Sequence, residues 1–138
     1  MTLPDDAELK IYLPVGFWRI ELFLGVDGTL AGDIKVDWVW TGTNAGVSAR
    51  MVLGPQVPST DNTAAGMRST GPHTLSSAVG YGQDPAVPTL IREDLILDVT
   101  GEGTLTMRWA QNTSNATATS VLAGSRLYAT RMTGGWDT

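Results

Sequence analysis

Residues 103–132 read GTLTMRWAQNTSNATATSVLAGSRLYATRM, and the fold class turns on this stretch. Leu105, Met107 and Trp109 alternate with Thr104, Thr106 and Arg108, the period-two pattern of a half-buried strand. A polar run, Ala110-Gln111-Asn112-Thr113-Ser114-Asn115, follows it. Val121 and then Ala123-Gly124-Ser125-Arg126-Leu127 restore the apolar spacing. The pattern predicts two strands, 103–110 and 121–132, joined as a closing hairpin by an Asn/Thr/Ser connection.

Working outward, strand patterns recur at short intervals and helical ones do not. Leu9, Ile11 and Leu13 alternate with Glu8, Lys10 and Tyr12 until Pro14-Val15-Gly16 breaks the run. Trp18, Ile20, Leu22 and Leu24 form one face of the next segment, with Phe17, Arg19, Glu21 and Phe23 on the other. An Asp27-Gly28 turn signal follows. Ile34, Val36, Trp38 and Trp40 alternate with Asp33, Lys35, Asp37 and Val39. A fourth strand is read with Val47, Ala49, Met51 and Leu53 on one face. Residues 54–88, rich in Pro, Gly, Ser, Thr and Asn, read as a long connection with room for short strands near 64–69 and 74–79. Ile91, Leu95, Leu97 and Val99 then share a face with one anomalous acid, Glu93. The total of about eight strands suits an all-β, single-domain antiparallel jelly-roll sandwich spanning 1–138. Residues 1–7 form a candidate N-terminal arm and 133–138 a C-terminal tail.

Composition narrows the function classes. The 138 residues are 42% hydrophobic and 17% charged, which argues for one folded domain rather than disorder. No cysteine is present, so disulfides, thiolate catalysis and cysteine-ligated zinc are excluded. Net charge is −5 and Lys10 and Lys35 are the only lysines, which leaves no basic footprint for nucleic acid. No apolar run approaches the roughly 18 residues of a membrane span. The acidic start MTLPDDAELK is unlike an export signal, so a soluble protein without membrane insertion is expected.

The order "strand, W-A-Q, N/T/S connection, T-x-V, A-G-S-x-L" in 103–132 resembles the last two strands of jelly-roll domains found in virion proteins of tailed bacteriophages. Gly16-Phe17-Trp18-Arg19-Ile20-Glu21-Leu22-Phe23-Leu24, followed by Gly32-Asp33-Ile34-Lys35-Val36-Asp37-Trp38-Val39-Trp40-Thr41-Gly42, resembles the opening of the same domains. The similarity covers about two thirds of the chain. It implies a TNF/C1q-like sandwich, a homo-oligomer with the trimer as a form known in the family, and no cofactor. It also implies a virion structural role: a capsid decoration protein on the outer head surface, bound to the major capsid protein, or alternatively a minor tail or fibre-tip protein that binds a host receptor or glycan. A cellular TNF/C1q-like binding protein is the third reading. Candidate partner contacts are Met1, Thr2 and Leu3 of the arm, Tyr81 in the long connection, and Trp136 behind Gly134-Gly135.

Chemistry-bearing motifs are sparse. Exposed indoles would stack on sugars, but Trp18, Trp38, Trp40 and Trp109 sit on apolar strand faces, where packing is the expected role. His73 is the only histidine, and no G-x-S-x-G, H-E-x-x-H or P-loop pattern occurs, so catalysis is not expected. Glu93-Asp94, Asp33 with Asp37, or Glu21 could supply the two carboxylates that a glycosidase needs, but a chain with 14 acidic residues offers such pairs without function. Asp27 to Asp33 and Asp5-Asp6 carry oxygen ligands without EF-hand spacing. No metal is therefore assigned, with Asp27 expected to cap a turn and Asp33 to start a strand. Asn112-Thr-Ser and Asn115-Ala-Thr are read as hydrogen-bonding loop residues rather than glycosylation sites.

Overall fold

In a computed structural model, which describes residues 5–28, 32–45, 48–57, 67–69 and 73–134, the chain is all-β, with two antiparallel sheets and no helix among the described residues. Eleven strands are present among the described residues: β1 Asp5–Leu13, β2 Gly16–Asp27, β3 Ile34–Trp40, β4 Thr43–Asn44, β5 Ala49–Pro55, β6 Met67–Ser69, β7 Val79–Tyr81, β8 Thr89–Gly101, β9 Gly103–Gln111, β10 Ser120–Val121 and β11 Arg126–Met132. The small sheet has the order β1-β9-β3-β7. The large sheet runs β10-β2-β8-β5-β6, with β11 also on β2 and β4 also on β8. Two long strands, β2 and β8, form its spine through a continuous register from Gly16↔Val99 to Val26↔Thr89.

Alternation explains which faces meet. Ile20, Leu22, Leu24 and Val26 of β2 and Ile91, Leu95, Leu97 and Val99 of β8 turn inward against Ile34, Val36 and Trp38 of β3 and Leu105 and Met107 of β9. Each such side chain contributes about 1.5–3 kcal/mol through burial. Trp18, Trp40 and Trp109 pack partly buried at the margin of this layer.

Two sequence expectations fail. Strands 103–110 and 121–132 are not a hairpin: β9 pairs with β1 and β3 in the small sheet, whereas β10 and β11 pair with β2 in the large one. The connection over 112–119 instead carries the chain from one sheet to the other. The second failure is the face of β5, where Arg50 and Val52 point inward and Met51 and Leu53 lie exposed. The glycine after Leu53 also faces in, and a Cβ at Gly54 would come within 2.8 Å of the Tyr81 ring. The long connection is interrupted by β6 and β7, close to the expected positions.

Candidate functional site

The inverted face of β5 builds a fully buried polar cluster. The Arg50 and Glu93 side chains are both fully buried and meet between the sheets, with Nε donating to Oε2 at 2.8 Å and Nη2 to Oε1 at 2.8 Å. Trp38 Nε1 donates to the same carboxylate at 2.7 Å, and the Tyr81 hydroxyl donates to Oε1. Arg50 Nη1 reaches the carbonyls of Thr74, Leu75 and Ser77, and Nη2 reaches that of Val36. An unpaired buried charge is severely destabilising, so this degree of satisfaction is what the core requires. The four side chains come from β3, β5, β7 and β8, two strands of each sheet. The cluster is a bolt rather than a catalytic centre, because every polar atom of the carboxylate is committed and none faces solvent.

Tyr81 is corrected by this geometry. It lies on β7 with 0% exposure and its hydroxyl bonded to Glu93, so it is a core anchor and not a partner contact. Met1, Thr2, Leu3 and Trp136 lie outside the described residues. The proposed carboxylate pairs also separate. Glu93 points inward while Asp94 points outward, and Asp37 is held by Arg108 through two 2.8 Å bonds on the outer face of the small sheet, one at Nε and one at Nη2. His73 is half-buried, and its backbone N–H donates to the Arg50 carbonyl. Among the described residues no group of three or more His, Cys, Asp or Glu comes together.

The outer face of the large sheet is the strongest candidate for a contact surface. Of eight large hydrophobic side chains exposed among the described residues, five (Met51, Leu53, Leu90, Tyr128 and Met132) stand on this one face. Concentration on one face, rather than exposure of single residues, is what marks an interaction site. At its centre Glu21 and Asp94 are direct cross-strand partners, an arrangement that would be repulsive alone. Arg19 lies 3.4 Å from Glu21 and 3.1 Å from Asp94, and Arg92 lies 3.0 and 3.4 Å from the same two, closing a ring of alternating charge. Arg92 also stacks 5.0 Å over Phe23, whose ring meets Tyr128 edge-on at 6.3 Å. Beside the ring lies a depression of about 510 Å³ lined by Arg19, Ala49, Met51, Asp94, Ile96 and Met132. Sequence reading missed this face because it assigned Met51 and Leu53 to the core.

At one end of the sandwich a smaller polar cluster is less well satisfied. Asp33, expected to open a strand, instead precedes β3 with φ +48° and is 4% exposed. Its carboxyl accepts the backbone N–H of Gln83, yet Oδ1 has no partner and burial raises its pKa above the usual carboxylate range. Gln83 is 1% exposed, and its Oε1 is likewise unpartnered. Thr119, from the 112–119 crossing, lies against both: its hydroxyl accepts from Gln83 Nε2 at 3.4 Å and donates to the Asp33 carbonyl at 3.5 Å.

No family model matches the chain, and neither a curated protein nor a solved structure matches it.

Proposed function

We propose that this chain is a jelly-roll structural protein of a tailed-bacteriophage virion, and that it decorates the outer capsid surface by binding the major capsid protein. The strand pairing supports the fold half of this reading. Setting aside the two-residue strands β4 and β10 and the appended β11, eight strands remain. The first pairs with the last (β1 with β9), the second with the seventh (β2 with β8), the third with the sixth (β3 with β7) and the fourth with the fifth (β5 with β6). A long hairpin folded over on itself in this way gives the double-sheet jelly roll. The segments that resemble the virion domains are also the segments that pair: the stretch beginning Gly32-Asp33 with W-A-Q as β3 against β9, and the stretch beginning Gly16-Phe17 with the strand after A-G-S as β2 against β11.

The observation that carries the functional half is the mixed apolar and charged outer face of the large sheet. Such a face works by surface burial, without chemistry, and repetition over a lattice multiplies weak single contacts, more so if the chain binds as a homo-oligomer. The glycan-binding alternative at a tail tip would gain support from Tyr81 and Trp136 if both were exposed on one rim, and Tyr81 is buried.

The test is the molar ratio of this polypeptide to the major capsid protein in purified particles, together with rebinding to particles that lack it. Hundreds of copies that rebind tailless heads are the expected result. A handful of copies that stay with isolated tails would overturn the capsid reading in favour of host recognition.

A further inference from the structure

The end cluster has a chemical imbalance that the core bolt lacks. Asp33 Oδ1 and Gln83 Oε1 are both acceptors, both more than nine-tenths buried, and both without a donor. Native proteins leave few such atoms, and an unaccounted ion is one of the standard reasons for them. Asp33 forms no ion pair among the described residues, so the buried carboxyl has no cationic side chain to balance it. The site is crowded by design of the backbone: a Cβ at Gly28 would collide with Gln83 Oε1, and one at Gly32 would stand 3.3 Å from the Thr119 hydroxyl. Three chain segments far apart in sequence therefore meet at one place through the Gln83–Thr119 and Thr119–Asp33 contacts, with a backbone strained into the left-handed region at the only charged member.

We propose that Asp33, Gln83 and Thr119 form a binding site for a hard, oxygen-seeking cation, with calcium as the ion that fits. The side-chain donors are a carboxylate, an amide oxygen and a hydroxyl, the set that calcium takes and that softer metals do not prefer. A mixed set of side-chain oxygens without octahedral symmetry suits calcium over magnesium, which demands octahedral geometry and sheds its water reluctantly. One carboxylate is a low charge count, which places the affinity in the weak class, with Kd of about 0.1–1 mM. The ion would tie the strand entry at Asp33 to the 82–84 segment and to the crossing between the sheets.

Thermal unfolding of the full chain in EDTA, and with calcium chloride titrated in, tests this, with magnesium chloride at matched ionic strength controlling for screening of a chain of net charge −5. Calcium at about ten times its Kd is expected to raise Tm by about 5 °C. Calorimetric titration is expected to find one ion per chain, and magnesium to give a smaller shift. Asp33→Asn, which tolerates the left-handed backbone and carries no charge, should fold in EDTA and lose the calcium response. Thr119→Val keeps volume and charge and should weaken calcium binding several-fold, giving the same discrimination if the Asn variant fails to fold. A parent that responds equally to calcium and magnesium, or an Asp33→Asn variant that responds as the parent does, would overturn the proposal.

Discussion

Arg50 and Glu93 form a fully buried, two-pronged ion pair that joins β5 to β8 while Trp38 and Tyr81 tie the same carboxylate to the opposite sheet. The relationship fixes both the register of β5 and the spacing of the sheets, because neither charge can leave the interior alone. Glu93→Leu, which strands Arg50, should cost about 3–5 kcal/mol. Arg50→Met with Glu93→Leu should recover only part of that, since Trp38 Nε1 and the Tyr81 hydroxyl lose their acceptor at about 1–3 kcal/mol apiece. Urea unfolding of the parent, both single variants and the double variant measures the coupling. Strictly additive losses would mean the pair does not act as a unit.

The close approach of the 41–43 segment to the β8–β9 turn gives a second prediction. A Cβ at Gly103 would strike the backbone of Gly42, and one at Gly42 would strike the Gly101 carbonyl and the Trp40 ring. Backbone cannot step aside as a flexible side chain can. Gly103→Ala should therefore lose about 1–3 kcal/mol. Gly25→Ala is the control, because its Cβ would sit in ordinary contact with Leu122 at 3.6 Å. Equal losses in a chemical denaturation series would remove the close approach as the cause.

Stability should depend on pH through Asp33 in a defined direction. Its folded pKa is raised by burial, so the folded state binds the proton more tightly than the unfolded chain does. Stability from this group is therefore greatest below the usual carboxylate range and falls as pH rises through that range toward the raised value. In EDTA, Asp33→Asn should flatten that decline and be no less stable than the parent near neutrality. An unchanged pH profile in the variant would show that another group is responsible.

If the outer face of the large sheet is the capsid contact, Met51→Glu should leave unfolding within about 0.5 kcal/mol of the parent, as exposed positions do. Particle binding should nevertheless fall by about 100-fold, a buried charge replacing an apolar contact. Co-sedimentation with heads lacking the protein checks this. Retained binding, with a loss for a substitution on the small sheet such as Tyr12→Glu instead, would move the interface to the other face.

Arg19→Ala should matter little to stability. Its side chain is 45% exposed, and surface pairs of this kind contribute about 0–1 kcal/mol, less at high salt. A loss well beyond that in low-salt unfolding would mean the charge ring holds the β2–β8 spine together rather than lying on it.

Alternation made β2, β3, β8 and β9 legible, because each places most of its large apolar residues on one side. It misled at β5, where Ala49, Met51 and Leu53 look more like a core face than Arg50, Val52 and Gly54 do. The visible warning was Glu93, an acid among Ile91, Leu95 and Leu97. A buried acid needs a buried cation, and Arg50 was the candidate already flanked by apolar residues. Tyr81 was illegible for the same reason, since its role depends on that carboxylate. Pairing partners were less accessible than faces, because period-two spacing states which way a side chain points and not which strand lies beside it. The adjacency of 103–110 and 121–132 in sequence suggested a hairpin that the crossing at 112–119 prevents. Asp33 was visible as an oxygen ligand, but its meeting with Gln83 and Thr119 arises only from tertiary structure.

The pairing of β1 with β9 and of β2 with β8 and β11 bears on how the protein is made. β1 and β2 leave the ribosome well before their partners: among the described residues neither pairs with anything in the sixty residues that follow it, and β2 is not flanked on both sides until Met132 has emerged. An early pause in translation would therefore expose two apolar-faced strands with nothing to cover them. Folding must await nearly the whole chain, and contacts so distant in sequence make it slow, on the millisecond-to-second scale of sandwich topologies. A truncation that removes only β11 would leave the outer edge of β2 bare from Phe17 to Phe23, and its product should aggregate rather than persist as a smaller domain.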